Sequence, residues 1–453
     1  MRLHGWRLGW GGARGAQWAK GFRAGVGIAV VAVVGVSCAA GPQGTRRSAD
    51  ATRPAREAFA PGMTVLLDDS LQVIAGRRIA VITNHTGIDV EGRSIVDLLR
   101  EDPRVRRANV TVVRLFSPEH GIRGDVDHTN VPDAVDPRSG LMVHSLYTRE
   151  TIPPPDSLLR DVDALVFDLQ DIGTRTWTYV GVMVYAMRAA ARVGIPFIVL
   201  DRPNPITGRM EAPLLDSALA NPEDPTPTRR GAAFALYPAP LRHGMTMGEL
   251  ARWFAAELRI PAQLTVVAMR GYRRGMWWEE TGLRWVVPSP AMVSPMSALV
   301  YPALVALEGT NVSVGRGTRE PFQRFGAPWL DARRVADAMN ELGIAGVRFD
   351  AERFTPVNSP DNKFSGREIP GVRIVVEDRD RFQAGRVGAA VLWALRRTHA
   401  DSLRVTPRTV DMRFGSTAVR LALESAADPN EVIDRLQPEV VAFQRRVRPY
   451  LLY

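Results

Sequence analysis

The feature that most constrains the fold is an alternation of short apolar runs with longer stretches of helical periodicity. The apolar runs are rich in β-branched residues and show little polar alternation, which is typical of strands buried on both faces of a sheet. They are RRIAVITN (77–84), NVTVVRLF (109–116), DALVFDLQ (163–170), IPFIVLD (195–201) and LTVVAM (264–269). Because helical patterns separate them, the sequence predicts an α/β fold with a parallel, doubly wound sheet.

Three helical patterns lie between these runs, at 93–102, 179–194 and 245–258. The last begins with Thr246 and Glu249, the spacing of a capping box. The strand-and-helix alternation therefore predicts a doubly wound α/β domain over 61–285, and a second, smaller α/β domain over 286–453 follows it.

The second domain begins where the composition changes. Residues 286–330 are rich in Pro and Gly and contain clustered polar residues, which predicts a long functional loop region or domain junction. Helical, strand-like and helical patterns follow at 331–343, 371–378 and 385–400, and a long terminal helical pattern covers 431–453.

The N-terminal segment predicts export. Basic residues precede an apolar stretch that ends in small residues, so residues 1–37 are interpreted as a signal peptide. Cys38, the only cysteine, resembles the lipid-attachment site of a bacterial lipoprotein, although Gly35 stands where Leu or Val is usual. An ordinary signal peptide cut nearby and an uncleaved anchor remain alternatives. Residues 38–60 are small, polar and charged and predict a tether, which would make the protein a periplasmic or extracellular lipoprotein on a membrane.

The net charge of +10 does not indicate a nucleic-acid partner once it is apportioned along the chain. Five basic residues and no acidic ones precede Cys38, so the remainder carries 10 − 5 = +5. No dense basic run occurs after residue 50. The expected partners therefore exclude nucleic acid.

Polar side chains follow four of the predicted strands at the point where each strand ends. Because ligands of doubly wound sheets bind outside the carboxyl ends of the strands, these residues predict a functional cleft along one edge. Turn formation or helix capping would account for any one of them alone. Outside the strand ends, His243 precedes a helix and Arg316 lies in a glycine-rich segment. The strand-end candidates are Asn84, His85, Glu119, His120, Arg123, Asp168, Gln170, Asp171, Arg175, Tyr179, Asp201, Arg202 and Asn204.

Since the motifs of other catalytic classes are missing, the sequence favours acid catalysis by Glu119, at the end of its strand. A phosphate-binding loop, a dinucleotide fingerprint and a G-x-S-x-G nucleophile elbow are all missing from the sequence. A carboxylic acid that protonates a glycosidic oxygen would suit Glu119, and arginines would hold a substrate carboxylate. A metal site built from His85, His120, His243 and Asp168 lacks an H-E-x-x-H motif. No cofactor or metal is expected.

Several of these residues also have structural interpretations. Asp168 is equally suited to cap the element after its strand, and His243 to stabilise a helix start. Arg316 and Arg319 have two nearby ion-pair partners in the sequence, Glu308 and Glu320. These alternatives stay open on the sequence alone.

A series of motifs resembles a bacterial family once catalogued only as a domain of unknown function, whose characterised members are exo-β-N-acetylmuramidases of the NamZ type. The resemblance runs from about residue 63 to near the C-terminus. One departure is SGREIPGV (365–372), which lacks a cysteine found in many relatives. The motifs are VITNHTGID, LFSPEHGIRG, LVFDLQDIGTRTWTYV, VLDRPNPITG, HGMTMGELA, WVVPSPAM, LEGTNVSVGRGTREPF and GAPWL.

The resemblance implies that the domain over 61–285 is a Rossmann-like catalytic domain and that the domain over 286–453 is auxiliary, with the active site in the cleft between them. It also implies release of terminal N-acetylmuramic acid (MurNAc) from MurNAc-GlcNAc fragments of peptidoglycan. The family's proposed catalytic glutamate corresponds to Glu119. The resemblance does not supply a second catalytic group, and the candidates from strand-end position alone are Asp168, Asp171 and Asp201. Of these Asp168, together with His120, is predicted to act with Glu119. A non-catalytic muropeptide-binding lipoprotein and a metal-dependent amide or ester hydrolase of the cell wall remain alternatives.

Overall fold

The sheet predicted from the apolar runs is present in the computed structural model, which describes residues 57–123, 132–146, 153–220 and 235–453. The strands of these residues are β1 Arg78–Thr83, β2 Thr111–Ser117, β3 Ala134–Val135, β4 Met142–Ser145, β5 Ala164–Asp168, β6 Phe197–Leu200, β7 Glu211–Leu214, β8 Pro240–Arg242, β9 Leu264–Val267, β10 Arg324–Gly326, β11 Val347–Phe354 and β12 Ile369–Val376. Seven of them form the sheet, in the order β3-β4-β2-β1-β5-β6-β9. Every neighbouring pair in it is parallel except β3 and β4.

Both faces of this sheet are buried, which explains why its strands show no polar alternation. On β1, Ala80 and Ile82 belong to one hydrophobic cluster, whereas Ile79 and Val81 belong to another on the opposite face. Consecutive side chains of a strand point to opposite faces, so each face requires its own apolar residue at every second position. The α/β fold class is therefore confirmed.

Helices cover the two faces of the sheet. The helices of the described residues are α1 Gly62–Asp69, α2 Ile95–Glu101, α3 Pro103–Arg107, α4 Thr178–Val193, α5 Met247–Glu257, α6 Pro295–Leu304, α7 Ala332–Asn340, α8 Ala384–His399, α9 Pro407–Phe414, α10 Thr417–Glu424, α11 Pro429–Asp434 and α12 Gln437–Val447. Apolar residues of α1, α2 and α3 join the cluster on one face, and those of α4 and α5 join the cluster on the other. The predicted capping box is also confirmed at the start of α5.

The strand order places a crevice between β1 and β5. From β1 the chain adds β2 and then β4 on one side of the sheet. It then returns to the other side of β1, where it adds β5, β6 and β9 in turn. The crossover connections diverge at this switch point, which leaves an opening outside the carboxyl ends of β1 and β5. Thr83 and Asp168 are paired there as the last residues of the two strands.

The C-terminal part contains a second, three-stranded antiparallel sheet in the order β10-β12-β11. Residues of α7 and α8 pack with it in the same hydrophobic cluster that covers one face of the large sheet. The described residues accordingly belong to one compact unit. A domain boundary at residue 285 stays a prediction.

Two predictions for the C-terminal part need correction. The segment 286–330 is not only loop, because it contains α6. This helix is buried along almost its whole length, so it lacks the polar face that reveals a helix in sequence. The terminal pattern forms two helices, α11 and α12, because Pro438 has no N–H and belongs in the first turn of a new helix.

Among the residues that the structure describes, no helix is both long and apolar enough to cross a bilayer. The predicted signal peptide, Cys38 and all but the last four residues of the predicted tether lie outside the described residues.

Close packing of α8 against β7 provides a test of the fold. A Cβ added to Gly385 would overlap the carbonyl oxygen of Ala212. We expect Gly385→Ala to lower the free energy of unfolding by about 1–3 kcal/mol, because overpacking forces the helix away from the strand. Gly275→Ala, where an added Cβ meets no atom within 4 Å, is the control. Equal urea denaturation midpoints for the two variants would contradict this packing.

Candidate active site

Glu119 lies just after β2, on the turn that follows the strand next to β1. Its side chain is partly exposed, and its Oε2 accepts a hydrogen bond of 2.7 Å from the Thr178 hydroxyl. The Oε1 atom has no hydrogen-bond partner in the described part of the chain. Glu119 therefore combines one anchored oxygen with one that is available for chemistry.

The Ser-Pro-Glu-His-Gly turn gives Glu119 its position. The Gly121 N–H donates to the Pro118 carbonyl at 3.1 Å, and His120 and Gly121 have φ values of 73° and 74°. A left-handed conformation is unusual for a residue with a Cβ, so the turn places His120 in a conformation that its surroundings must hold. The His120 side chain is buried, and its predicted catalytic role stays a prediction.

Asn84, His85 and Tyr179 connect the end of β1 to the segment at 285–292. The Asn84 amide donates to the Tyr179 hydroxyl at 3.0 Å, and this hydroxyl donates to the Pro288 carbonyl at 3.0 Å. The His85 Nε2 donates to the Val287 carbonyl at 2.7 Å. Burial raises the pKa of the Tyr179 hydroxyl far above its usual range, so it remains a neutral donor. These residues shape the wall beside Glu119.

Asp168 and Arg202 form a buried ion pair beneath the crevice. The guanidinium donates to both carboxylate oxygens, at 2.9 Å for Nη2–Oδ2, and also to the Ile88 carbonyl at 3.0 Å. The two side chains are only 0% and 2% exposed. The pair holds the ends of β5 and β6 together, and this geometry favours structural roles over the predicted catalytic and substrate-binding ones.

Asp171 forms a second buried pair, with His243. Its Oδ2 accepts from the His243 Nε2 at 3.1 Å and from the Gly173 N–H at 2.6 Å. The His243 Nδ1 accepts from the Met245 N–H, so the ring carries its proton on Nε2. The buried Oδ1 of Asp171 has no partner in the described part of the chain. Gln170 lies beside the pair, and its amide donates to the carbonyls of Asp171 and Pro203.

Asp201 and Asn204 stabilise the loop after β6. Asp201 accepts from the N–H groups of Arg202 and Gly248 on Oδ1, and from the hydroxyls of Thr246 and Tyr453 on Oδ2. Burial raises its pKa to about 6 even with these donors. Asn204 accepts from the Ile206 N–H and donates to the Met245 carbonyl. Both residues are satisfied by neighbouring protein groups.

The predicted arginines differ sharply in their surroundings. Arg175 is buried and donates to the carbonyls of Met412, Arg413 and Phe414, the last residues of α9, and burial lowers its pKa to about 9. Arg316 pairs with Glu308 at 2.9 Å, as the structural interpretation predicted. Neither guanidinium is directed to an open site by these contacts.

Arg123 is the predicted arginine with the most open guanidinium. Its side chain is 49% exposed, and it pairs with Asp136. It lines a pocket of about 150 Å³ together with Asn84, His85 and the Asp136 side chain. A ligand carboxylate can therefore approach Arg123 from solvent.

The sequence did not identify Thr178, Pro288 or Tyr301 as neighbours of the site. Thr178 is adjacent to the predicted Tyr179, but its contact with Glu119 joins residues 59 positions apart. Tyr301 accepts from the Thr176 hydroxyl at 3.4 Å. In the described ranges, no group of three or more His, Cys, Asp or Glu side chains is arranged to hold a metal ion.

Comparison with known proteins gives consistent matches over most of the chain. Residues 79–296 match the family described as "Exo-beta-N-acetylmuramidase NamZ, N-terminal", and residues 299–453 match its C-terminal counterpart. A relative from Bacillus subtilis (strain 168), named peptidoglycan beta-N-acetylmuramidase NamZ, is 38% identical over 395 residues. The alignment covers 86% of this chain and 91% of the relative.

Two crystal structures of DUF1343 family proteins from Bacteroides fragilis NCTC 9343 have a similar fold. The first has a TM-score of 0.76 and 33% identity, covering 88% of this chain and all of the other. The second has a TM-score of 0.66 and 26% identity, covering 87% and 99%. The fold described above thus resembles folds that have been solved experimentally.

The buried Asp168–Arg202 pair predicts a stability effect. We expect Asp168→Asn to lower the free energy of unfolding by about 3–5 kcal/mol, because Arg202 would keep a buried charge without its partner. Denaturant titration measures this change. Glu431→Gln removes an exposed pair with Arg435 and should cost at most about 0.5 kcal/mol. A fully stable Asp168→Asn protein with greatly reduced turnover would instead favour a catalytic Asp168.

Proposed function

The chain belongs to the NamZ family of exo-β-N-acetylmuramidases, and on this premise we propose that it releases terminal MurNAc from the non-reducing ends of peptidoglycan fragments. It is a glycosidase that acts on peptidoglycan-derived substrates such as the MurNAc-GlcNAc disaccharide. The assignment of the acid rests on the Glu119 carboxyl group at the carboxyl edge of the sheet. One of its oxygens is anchored by Thr178, and the other has no partner among the described residues.

In the proposed reaction, Glu119 protonates the glycosidic oxygen as the bond to the MurNAc anomeric carbon breaks. The leaving sugar then departs as a neutral alcohol instead of an alkoxide, and water supplies the new hydroxyl of MurNAc. The anchored oxygen limits rotation of the carboxyl group, so the proton is presented from a defined position.

The reaction also needs a second polar group, which acts as a base on the attacking water or as a nucleophile. Of the three predicted aspartates, we retain Asp171 for this role. Asp168 uses both carboxylate oxygens on Arg202, and Asp201 accepts four hydrogen bonds. Asp171 alone of the three has a carboxylate oxygen without a partner in the described part of the chain. His243 holds the other oxygen and fixes the orientation of the carboxylate.

Recognition of muramic acid requires a cation for its lactyl carboxylate, and we assign this to Arg123. Arg175 and Arg202 are enclosed by protein acceptors, whereas Arg123 is half exposed beside Asn84 and His85. A bidentate guanidinium contact would favour MurNAc over N-acetylglucosamine, which has no carboxylate.

Glu119→Gln tests the general acid. We expect kcat on MurNAc-GlcNAc to fall by about 10²–10⁴-fold, because the amide cannot donate the proton. The loss on a 4-nitrophenyl β-MurNAc glycoside should be much smaller, because nitrophenolate leaves without protonation. Products are measured by mass spectrometry, and Glu431→Gln is the control. Equal losses on both substrates would show that Glu119 is not the general acid.

Asp171→Asn tests the second polar group. Wild-type turnover of MurNAc-GlcNAc by this variant would exclude Asp171 from that role.

We also propose that the protein is exported and attached to a membrane through a lipid on Cys38. The apolar stretch before this single cysteine supports the proposal. In a bacterial host, the wild-type protein should partition into the detergent phase of Triton X-114, and Cys38→Ala should move to the aqueous phase. Detergent partitioning that is unchanged by Cys38→Ala would contradict lipidation at this residue.

A further inference from the structure

We propose that Thr178 is a positioning residue for the catalytic acid, and that it determines which Glu119 oxygen carries the transferred proton. The proposal rests on the function proposed above. Its central observation is the 2.7 Å hydrogen bond from the Thr178 hydroxyl to Glu119 Oε2.

The direction of the hydrogen bond between Thr178 and Glu119 follows from which of the two groups carries a proton. A threonine hydroxyl has one proton, and a carboxylate oxygen can only accept. When Glu119 is protonated, Thr178 continues to donate to Oε2 only if the proton lies on Oε1. The hydroxyl therefore makes the two oxygens unequal, and it leaves the proton on Oε1, the oxygen without another partner in the described ranges.

Within the described residues, the Thr178 hydroxyl makes no capping bond at the start of its helix. Thr178 is the first residue of α4, and the N-cap residue, Trp177, makes no side-chain capping bond. A threonine that served as the N-cap would instead use its oxygen to accept from a backbone N–H. In this structure the hydroxyl of Thr178 is directed to Glu119, a residue on a different segment.

The segment before Thr178 is fixed from both sides. Arg175 donates to three carbonyls at the end of α9, and Thr176 donates to the Tyr301 hydroxyl. The Trp177 ring packs edge-on against Tyr179 at 5.3 Å between centroids. Because Thr178 is also β-branched, its side chain has few alternative rotamers. These contacts give the hydroxyl a fixed position from which to orient the acid.

Replacement of Thr178 by valine or serine separates the hydroxyl from the side-chain volume. Thr178→Val keeps the branched shape but removes the donor, whereas Thr178→Ser keeps the donor. We expect Thr178→Val to lower kcat on MurNAc-GlcNAc by about tenfold or more, with KM changed less than about threefold, because orientation of the acid is lost after binding. The loss on the 4-nitrophenyl glycoside should be smaller, and Thr178→Ser should stay within about threefold of wild type on both substrates.

Crystal structures of the two variants supply a readout that does not depend on activity. Glu119 should keep its carboxyl position in Thr178→Ser and adopt another rotamer, or several, in Thr178→Val. An unmoved Glu119 together with wild-type kcat in Thr178→Val would overturn the proposal, as would equal losses in both variants. If the wild-type protein released no MurNAc, the proposed function would fail, and the Glu119 rotamers alone would decide whether Thr178 positions this side chain.

Discussion

Burial of the central sheet on both faces is the constraint on which the rest of the structure depends. Two hydrophobic clusters enclose β1 and β5, so no polar side chain is accommodated along the middle of these strands. Polar side chains therefore occur only where these strands end. The switch point between β1 and β5 then collects those ends at one crevice, and the chemistry of the protein is restricted to that edge.

The polar residues at this edge divide into groups that maintain the crevice and groups that are open to a ligand. Asp168, Asp201 and Arg202 are buried and bonded to protein partners, so they stabilise the loops that leave β5 and β6. Glu119 and Arg123 are partly exposed and each retains capacity for a ligand. Burial and hydrogen-bond satisfaction therefore distinguish residues that look equivalent by their position after a strand.

The C-terminal part of the chain contributes directly to the arrangement around Glu119. Arg175 caps the end of α9, and Tyr301 of α6 receives the Thr176 hydroxyl. Glu308, also in the C-terminal part, is paired with Arg316 and Arg413. Burial by itself would raise the pKa of Glu308, but the two guanidinium groups lower it below its usual value. The loop that leads into Thr178 is thus held against helices more than 100 residues away in sequence.

The sequence by itself determined the α/β class, the five principal parallel strands, the capping box at Thr246 and the position of Glu119 at a strand end. These features depend on local periodicity and on short motifs, which are readable without tertiary contacts. It did not reveal α6, whose sides are apolar all round, or the break between α11 and α12. Only the tertiary structure decided that Asp168 pairs with Arg202, that Arg175 caps α9 and that Thr178 contacts Glu119, because each contact joins residues at least 34 positions apart.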